Sequence, residues 1–132
     1  MNQINIMNKP KIIQAAIDEA SKSTYKHKMG AVIFNGKRII GKGYNKPCSW
    51  SRKLHPRFKK WPNSIHAEAS CILSARKTLK GLDMLVVRVN SKNQLREARP
   101  CKYCLSYLNY VGIKTVYFTT NNYPYFNSIR IR

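Results

Sequence analysis

The sequence predicts an α/β domain in which helices flank a sheet. Three observations support this class: an apolar stripe at helical spacing near the N-terminus, an Asn-Gly pair between two apolar runs, and later strands that alternate with helical segments. The order helix, hairpin, helix, strand, helix, strand is typical of a sheet with helices packed on it. At 132 residues, the chain is most simply one domain spanning residues 1–132.

The first helix is predicted for residues 11–23, after Pro10, a residue that suits the first turn of a helix. Its apolar residues form a single stripe, at positions 12, 13, 16, 17 and 20. Asp18 and Glu19 are expected to face the solvent on the opposite side of this helix.

A hairpin and a long loop are predicted next. Asn35 and Gly36 separate the apolar runs 31–34 and 38–43, and Asn-Gly in such a position is a strong hairpin signal. The basic, aromatic loop at residues 46–64 then breaks the pattern with three prolines, six basic residues and no acid. Long loops in compact domains tend to be functional, so this loop is a candidate binding segment.

The remaining elements are two helices and two strands. Helices are predicted at 67–80, ending before Gly81, and at 101–111. Strands are predicted at 83–90 and 114–120, with a polar connection at 91–99. The tail 121–132 has two interpretations, a hairpin turned by Asn121 and Asn122 or a shortened last helix.

Charge and hydropathy limit the partners and the location. A formal net charge of +20 and an isoelectric point near 10.2 favour polyanions through counterion release, and they speed encounter with small anionic nucleotides. A basic, solvated face without a partner is the plain alternative.

No apolar run reaches the roughly 18 residues of a membrane span, and no signal sequence stands at the N-terminus. The sequence therefore predicts a cytoplasmic protein without a membrane partner.

Cys101 and Cys104 have the Cys-x-x-Cys spacing, which at a helix start places both sulfur atoms within reach of one metal ion. The positive end of the helix dipole also favours the thiolate forms that bind metal. A redox dithiol shares this spacing, but it usually follows a strand in a thioredoxin-like unit, which this order does not match. Disulfides are disfavoured because the predicted compartment is reducing.

His66 stands 35 residues before Cys101, at the start of the preceding predicted helix. Three protein ligands, His66, Cys101 and Cys104, leave a fourth position open, which is typical of a catalytic zinc. His66 and Glu68 cannot both face the metal from one regular helix. We therefore expect His66 just outside the helix and Glu68 free to act as a base; otherwise Glu68 is an ordinary acid of the first turn.

Two motifs carry a family resemblance. The runs 66–68 (HAE) and 100–104 (PCKYC) match the H-x-E…P-C-x-x-C signature of the zinc deaminases that act on nucleobases. Segments 30–33, 43–45 and 112–118 also stand in the order found in those enzymes. Over roughly residues 10–120, the chain resembles the cytidine and deoxycytidylate deaminase superfamily.

The resemblance implies a three-layer α/β/α fold with a mixed central sheet. It also implies one Zn²⁺ ion per chain, held by His66, Cys101 and Cys104, with a bound water as the fourth ligand. In the family this water attacks C4 of cytosine, or the equivalent carbon of adenine. By the same resemblance, Glu68 is expected to take the water's proton and to pass it to the ring nitrogen and then to the departing amine. Losing Glu68 is therefore expected to spare zinc and to stop the chemistry.

Four residues are predicted to bind the substrate. By resemblance, Asn45 hydrogen-bonds the sugar and Ala67 offers its backbone to the base; a turn residue at a strand end is the plain alternative for Asn45. Trp50 and Trp61 belong to the basic, aromatic loop, where charge and stacking suit a nucleotide phosphate or a nucleic-acid strand.

The substrate ranking rests on the resemblance and on the charge. Deamination of cytosine in a free nucleotide such as dCMP or CMP comes first. The alternative is cytidine or adenosine deamination in tRNA or in single-stranded DNA or RNA. A rival from another class is a non-enzymatic basic zinc domain that binds nucleic acid and gives Glu68 no duty. The sequence leaves a homo-oligomer open.

Overall fold

A computed structural model describes residues 6–47, 64–75 and 78–131. Its helices of eight residues or more are α1 (Pro10–Ser21), α2 (Ala67–Ser74) and α3 (Lys102–Val111). Its strands are β1 (Lys28–Asn35), β2 (Arg38–Tyr44), β3 (Lys46–Pro47), β4 (Ser64–Ile65), β5 (Asp83–Val89), β6 (Leu95–Arg96), β7 (Thr115–Thr119) and β8 (Phe126–Arg130). None of the helices in the described part of the chain is long and apolar enough to cross a membrane.

The main sheet is mixed. Its strand order is β2-β1-β5-β7-β8, and β6 pairs with β5 beside this path. Only β5 and β7 run parallel among these pairs, and the connection between them includes α3. The carboxyl ends of β5 and β7 therefore lie at one end of the sheet, which also holds the end of β2 and the start of β1.

Side chains alternate between two apolar layers along each central strand. On β1, Ala31 and Ile33 belong to the cluster under α2 and α3, whereas Val32 and Phe34 belong to the cluster under α1. Strands β5 and β7 divide in the same way, because successive side chains of a strand point to opposite faces. The resulting arrangement is the predicted three-layer α/β/α fold with a mixed sheet.

Glycines allow both helix layers to approach the sheet closely. A Cβ atom on Gly30 would lie 2.2 Å from the carbonyl oxygen of Ala16 in α1. On the other face, a Cβ atom on Gly43 would lie 2.3 Å from the backbone nitrogen of Cys71 in α2. Any larger residue at either position would displace a helix from the sheet.

The second helix ends earlier than predicted. Its last residue is Ser74, and Ala75 is already extended at φ −78° and ψ 139°. The Ser74 hydroxyl donates to the carbonyl oxygen of Cys71 at 2.8 Å, and the Ala75 N–H bonds to Ile72 instead. A serine that occupies a helix carbonyl in this way competes with the next helical hydrogen bond. The predicted extension to residue 80 is therefore wrong.

Glu19 is also placed differently from the prediction. It is 5% exposed, whereas the sequence pattern puts it on the solvent side of α1. Gly30 leaves room for it, since a Cβ atom there would lie 3.0 Å from the Glu19 Cβ. The burial is compensated by Lys22, whose Nζ lies 2.6 Å from Glu19 Oε2.

The connecting segments show two smaller differences from the prediction and decide between the two interpretations of the tail. The first hairpin pairs Asn35 with Arg38, so its two turn residues are Gly36 and Lys37, with Gly36 at φ +62°. The predicted polar connection 91–99 contains the short strand β6. The tail forms β8, antiparallel to β7, which selects the hairpin from the two interpretations of that segment.

Candidate active site

The site lies where two helices begin. His66 is the N-cap of α2, with extended backbone at φ −72° and ψ 156°. Cys101 is the N-cap of α3, also extended at φ −71° and ψ 167°. His66 therefore lies just outside its helix, as expected, and both positive helix ends point to the same region.

The structure brings together the three predicted metal ligands. One donor atom each from His66, Cys101 and Cys104 lies within 4.8 Å of the other two. The Nδ1 atom of His66 is 3.5 Å from the Sγ atom of Cys104. Two sulfur atoms and one imidazole nitrogen in such proximity are a donor set that zinc prefers.

The surroundings of the two sulfur atoms shift their pKa values in opposite directions. A hydrogen bond from the Cys104 thiol lowers the pKa of Cys101 to about 4, and backbone N–H groups at the start of α3 add to this effect. The same bond, together with burial, raises the pKa of Cys104, which keeps the proton. A thiol with a lowered pKa forms the thiolate readily, and thiolates are the form in which cysteines bind a divalent cation.

Glu68 lies in the first turn of α2 and is 2% exposed. Its Oε1 atom is buried and has no hydrogen-bond partner among the described residues. Burial raises the pKa of Glu68, because an apolar surrounding disfavours the charged form. A backbone hydrogen bond, the neighbouring His66 and a hydrogen bond with the Cys104 side chain oppose this rise in the pKa of Glu68. A carboxyl group with a raised pKa and an unused oxygen is suited to accept and return a proton.

The two substrate-binding candidates near this site are both buried. Asn45 is 8% exposed, and its side-chain amide forms hydrogen bonds with two backbone groups. Nδ2 donates to His27 O at 2.7 Å, and Oδ1 accepts from Met29 N–H at 2.9 Å. These two bonds give Asn45 a structural role, and they leave one N–H and one lone pair for another partner. Ala67 is fully buried at the start of α2. Their substrate contacts stay predictions.

Strands β3 and β4 connect Asn45 to the metal site. Lys46 pairs with Ile65 in this short antiparallel ladder. Asn45 precedes Lys46 and His66 follows Ile65, so both lie at the same end of this antiparallel ladder, and the end of β2 is next to the start of α2. Trp50, Trp61 and most of the basic, aromatic loop fall at residues 48–63, outside the described residues.

Sequence reasoning missed Arg88 and Arg96, which lie at the same end of the sheet as the metal site. They face each other in the register of β5 and β6. The Nε atom of Arg88 is buried and has no hydrogen-bond partner in the described structure. The available signal was a single cation inside the otherwise apolar strand MLVVRV.

A comparison with protein families matches this geometry. The model of the family described as "Cytidine and deoxycytidylate deaminase zinc-binding region" matches residues 7–120. This range includes both helix starts and all three candidate ligands. No curated protein sequence matches the chain significantly.

Solved structures support the same fold. A dCMP deaminase from the cyanophage S-TIM5, in complex with dCMP and dUMP, is 17% identical with a TM-score of 0.59, over 89% of this chain and 82% of that one. A cytidine deaminase from Burkholderia pseudomallei is 18% identical with a TM-score of 0.62, over 92% and 91% of the two chains. A third structure, from Thermotoga maritima, is a diaminohydroxyphosphoribosylaminopyrimidine deaminase that is also a 5-amino-6-(5-phosphoribosylamino)uracil reductase. It is 24% identical with a TM-score of 0.54, and the match covers 92% of this chain and 32% of that one.

Proposed function

The chain belongs to the cytidine and deoxycytidylate deaminase zinc-binding family, and on that premise we propose that it hydrolyses cytosine to uracil in an anionic nucleotide such as dCMP or CMP. Water is added at the ring carbon that bears the amino group, and ammonia leaves. His66, Cys101 and Cys104 would hold one zinc ion per chain. When bound, zinc supplies Lewis-acid activation of the attacking water.

The observation that carries this proposal is the buried, unpartnered Oε1 atom of Glu68 beside the three ligands. A buried polar atom without a partner is rare in folded proteins and is costly unless it serves a purpose. Here Glu68 takes a proton from water and delivers it to the ring nitrogen and then to the departing amine. A positioned group of this kind typically contributes about 10²–10⁴ to the rate.

The anionic substrate is favoured by charge. The chain carries an excess of 20 positive charges, and such a field raises the encounter rate with phosphate-bearing molecules. The cyanophage enzyme, which shares the fold, is a dCMP deaminase whose structure contains dCMP and dUMP. We propose that Asn45 uses its remaining N–H on the sugar and that the backbone of Ala67 faces the base.

A nucleic-acid substrate is the second candidate. The same charge excess favours it, since one phosphate group needs only one or two cations. The same zinc chemistry would then act on a cytosine or adenine within a strand. A non-enzymatic zinc domain is disfavoured because it gives the buried carboxyl of Glu68 no function.

A substrate panel tests the proposal. Ammonia release is measured from dCMP, CMP, cytidine, single-stranded DNA and tRNA with the native chain and with Glu68→Ala. We expect release from a nucleotide by the native chain and about 10²–10⁴-fold less by the variant. Activity on none of the five substrates would overturn the enzyme proposal, and activity on strands alone would transfer it to the second candidate.

Metal content separates the ligands from the base. We expect the zinc-to-protein ratio of Glu68→Ala to equal that of the native chain, whereas Cys101→Ala loses its metal. Elemental analysis after dialysis measures this ratio. Metal loss in Glu68→Ala would contradict the role of Glu68 as a base that does not bind the ion.

A further inference from the structure

Three arginines and two tyrosines form a surface next to the metal site, which we call the Arg–Tyr surface (Arg88, Arg96, Arg99, Tyr123 and Tyr125). Arg99 precedes Cys101 by two residues. Its guanidinium carbon lies 5.6 Å from the ring centroid of Phe118 on β7. The surface therefore begins at the start of α3 and extends along the carboxyl ends of β5 and β7.

Neutral acceptors hold these arginines in place. Arg96 donates to Gln94 Oε1 at 2.9 Å and to Leu95 O at 3.2 Å. Arg88 donates to Glu97 O at 3.5 Å, and its Nε atom has no partner within the described structure. Arg88 and Arg96 also lie directly opposite each other, an arrangement of like charges that destabilises a sheet.

No carboxylate in the described part of the chain forms an ion pair with any of the three arginines. All five Asp and Glu residues of the sequence are in that part, and Glu97 is the only one in the surrounding segment. Repulsion between clustered guanidinium groups is relieved when an anion binds them. An anion bound from another molecule would supply the negative charge that this surface lacks.

The tyrosines are presented on a turn that is fixed to the same segment. Tyr123 is 82% exposed and Tyr125 is 39% exposed, and their ring centroids are 6.1 Å apart. The turn is anchored by Asn121, whose Oδ1 accepts from Glu97 N–H at 2.8 Å. Tyr125 lines a cavity of about 250 Å³ with Gln94, Leu95 and Arg96. Exposed rings beside cations are the elements of a stacking platform for bases.

We propose that the Arg–Tyr surface binds single-stranded nucleic acid, with the arginines on phosphates and the tyrosines stacked on bases. A mononucleotide has one phosphate and one base, whereas this surface offers three guanidinium groups and two aromatic rings. A duplex hides the faces of its bases, so it cannot use the tyrosines. The inference goes beyond the proposed function, because strand binding needs neither zinc nor Glu68.

The test is a binding measurement with a strand that contains no cytosine. Fluorescence anisotropy of a labelled oligodeoxythymidylate of about 15 nucleotides gives the dissociation constant at several salt concentrations. We expect Tyr123→Ala to weaken binding about 5- to 150-fold, the usual range for one lost stacking contact. Arg96→Gln is expected to reduce the slope of log K against log salt by about 0.7, the value for one phosphate on a single strand.

Matched controls distinguish this surface from the general charge. Lys37→Gln removes one cation from the exposed turn at the opposite end of the sheet, and Tyr110→Ala removes a ring that is 58% exposed on α3. We expect both controls to keep the native dissociation constant. Native affinity in both Tyr123→Ala and Arg96→Gln, or binding of a duplex as tight as that of the strand, would overturn the proposal.

A catalytic variant separates the two proposals. Glu68→Gln should bind the strand as tightly as the native chain while it loses deamination. If the native chain releases no ammonia from any substrate but binds the strand through these residues, the proposed function fails and the surface stands. If Glu68→Gln loses strand binding, the surface proposal fails instead.

Discussion

Two buried glutamates on opposite faces of the sheet show how differently the same side chain can be used. Glu19 of α1 is 5% exposed, and Lys22 lies 2.6 Å from it. Glu68 of α2 is 2% exposed, and its Oε1 atom has no partner in the described structure. A buried acid held by an ion pair contributes to the packing, whereas a buried carboxyl oxygen without a partner is rare and is typical of functional sites.

The helix layers that contain these two glutamates also differ in what they pack against. Below α1 the sheet carries an apolar cluster that includes Phe34 and Tyr117, whose ring centroids are 6.3 Å apart. Below α2 and α3 a second apolar cluster ends at the group His66, Cys101 and Cys104. The α1 layer therefore supports the fold, and the α2 and α3 layer supports both the fold and the site.

The largest difference in activity is expected between two separate isosteric variants, Glu68→Gln and Glu19→Gln. The first change removes the proton carrier, so the turnover number for the nucleotide substrate should fall about 10²–10⁴-fold. The second leaves the site untouched and should leave turnover unchanged. Steady-state ammonia release per zinc-loaded molecule measures both. Equal losses in the two variants would show that Glu68 acts only through packing.

Two glycine substitutions compare how strictly each helix must be placed. Gly30→Ala brings a Cβ atom to 2.2 Å from the Ala16 oxygen in α1, and Gly43→Ala brings one to 2.3 Å from the Cys71 nitrogen in α2. Each should lower the free energy of unfolding by about 1–3 kcal/mol, as overpacking does. Denaturant titration measures this loss.

Activity separates the two glycine variants. Only Gly43→Ala should also reduce activity per folded molecule, because α2 carries His66 and Glu68 at its start. Gly41→Ala is a milder control on the same strand, since its nearest contacts are at 3.0 Å. A loss of activity in Gly30→Ala as large as that in Gly43→Ala would contradict the separation of the two layers.

The smallest expected effect is the pH-dependent contribution of the Lys22–Glu19 ion pair to stability. The hydrogen bond to Glu19 raises the pKa of Lys22 above its ordinary value of 10.5. Because the charged ammonium is the form that Glu19 holds, this stabilisation is complete below about pH 10 and is lost as the pH rises through the raised pKa. Lys22 is 52% exposed, so solvent screening limits the contribution to about 0–1 kcal/mol.

Thermal unfolding of the native chain and Lys22→Met across the alkaline range tests this contribution. The native chain should be the more stable of the two at neutral pH, and the difference should shrink as Lys22 loses its proton. A difference that is constant at all pH values would assign the effect to the Lys22 methylenes rather than to its charge.

Prediction from sequence succeeded where the signal was local. The apolar runs that became β1, β5 and β7 and the Cys-x-x-Cys pair at the start of α3 could be read directly, because spacing alone fixes which side chains share a face. It failed at the end of α2 and at Glu19. Both depend on contacts from another element: the Lys42 N–H to Ser74 Oγ at 3.1 Å, and the space above Gly30.

The sequence by itself determined the family motifs, the order of the elements and the choice of the three candidate ligands. Only the tertiary structure decided that donor atoms of His66 and of the cysteines, which follow it by 35 and 38 residues, lie within 4.8 Å of one another. It also decided that Glu68 is buried with its Oε1 atom unpartnered among the described residues. It also placed Arg88 opposite Arg96, with no ion pair to a carboxylate in the part of the chain that the structure describes. The physical reason is that distance, burial and missing partners are properties of packed surfaces, which residue spacing along one element does not specify.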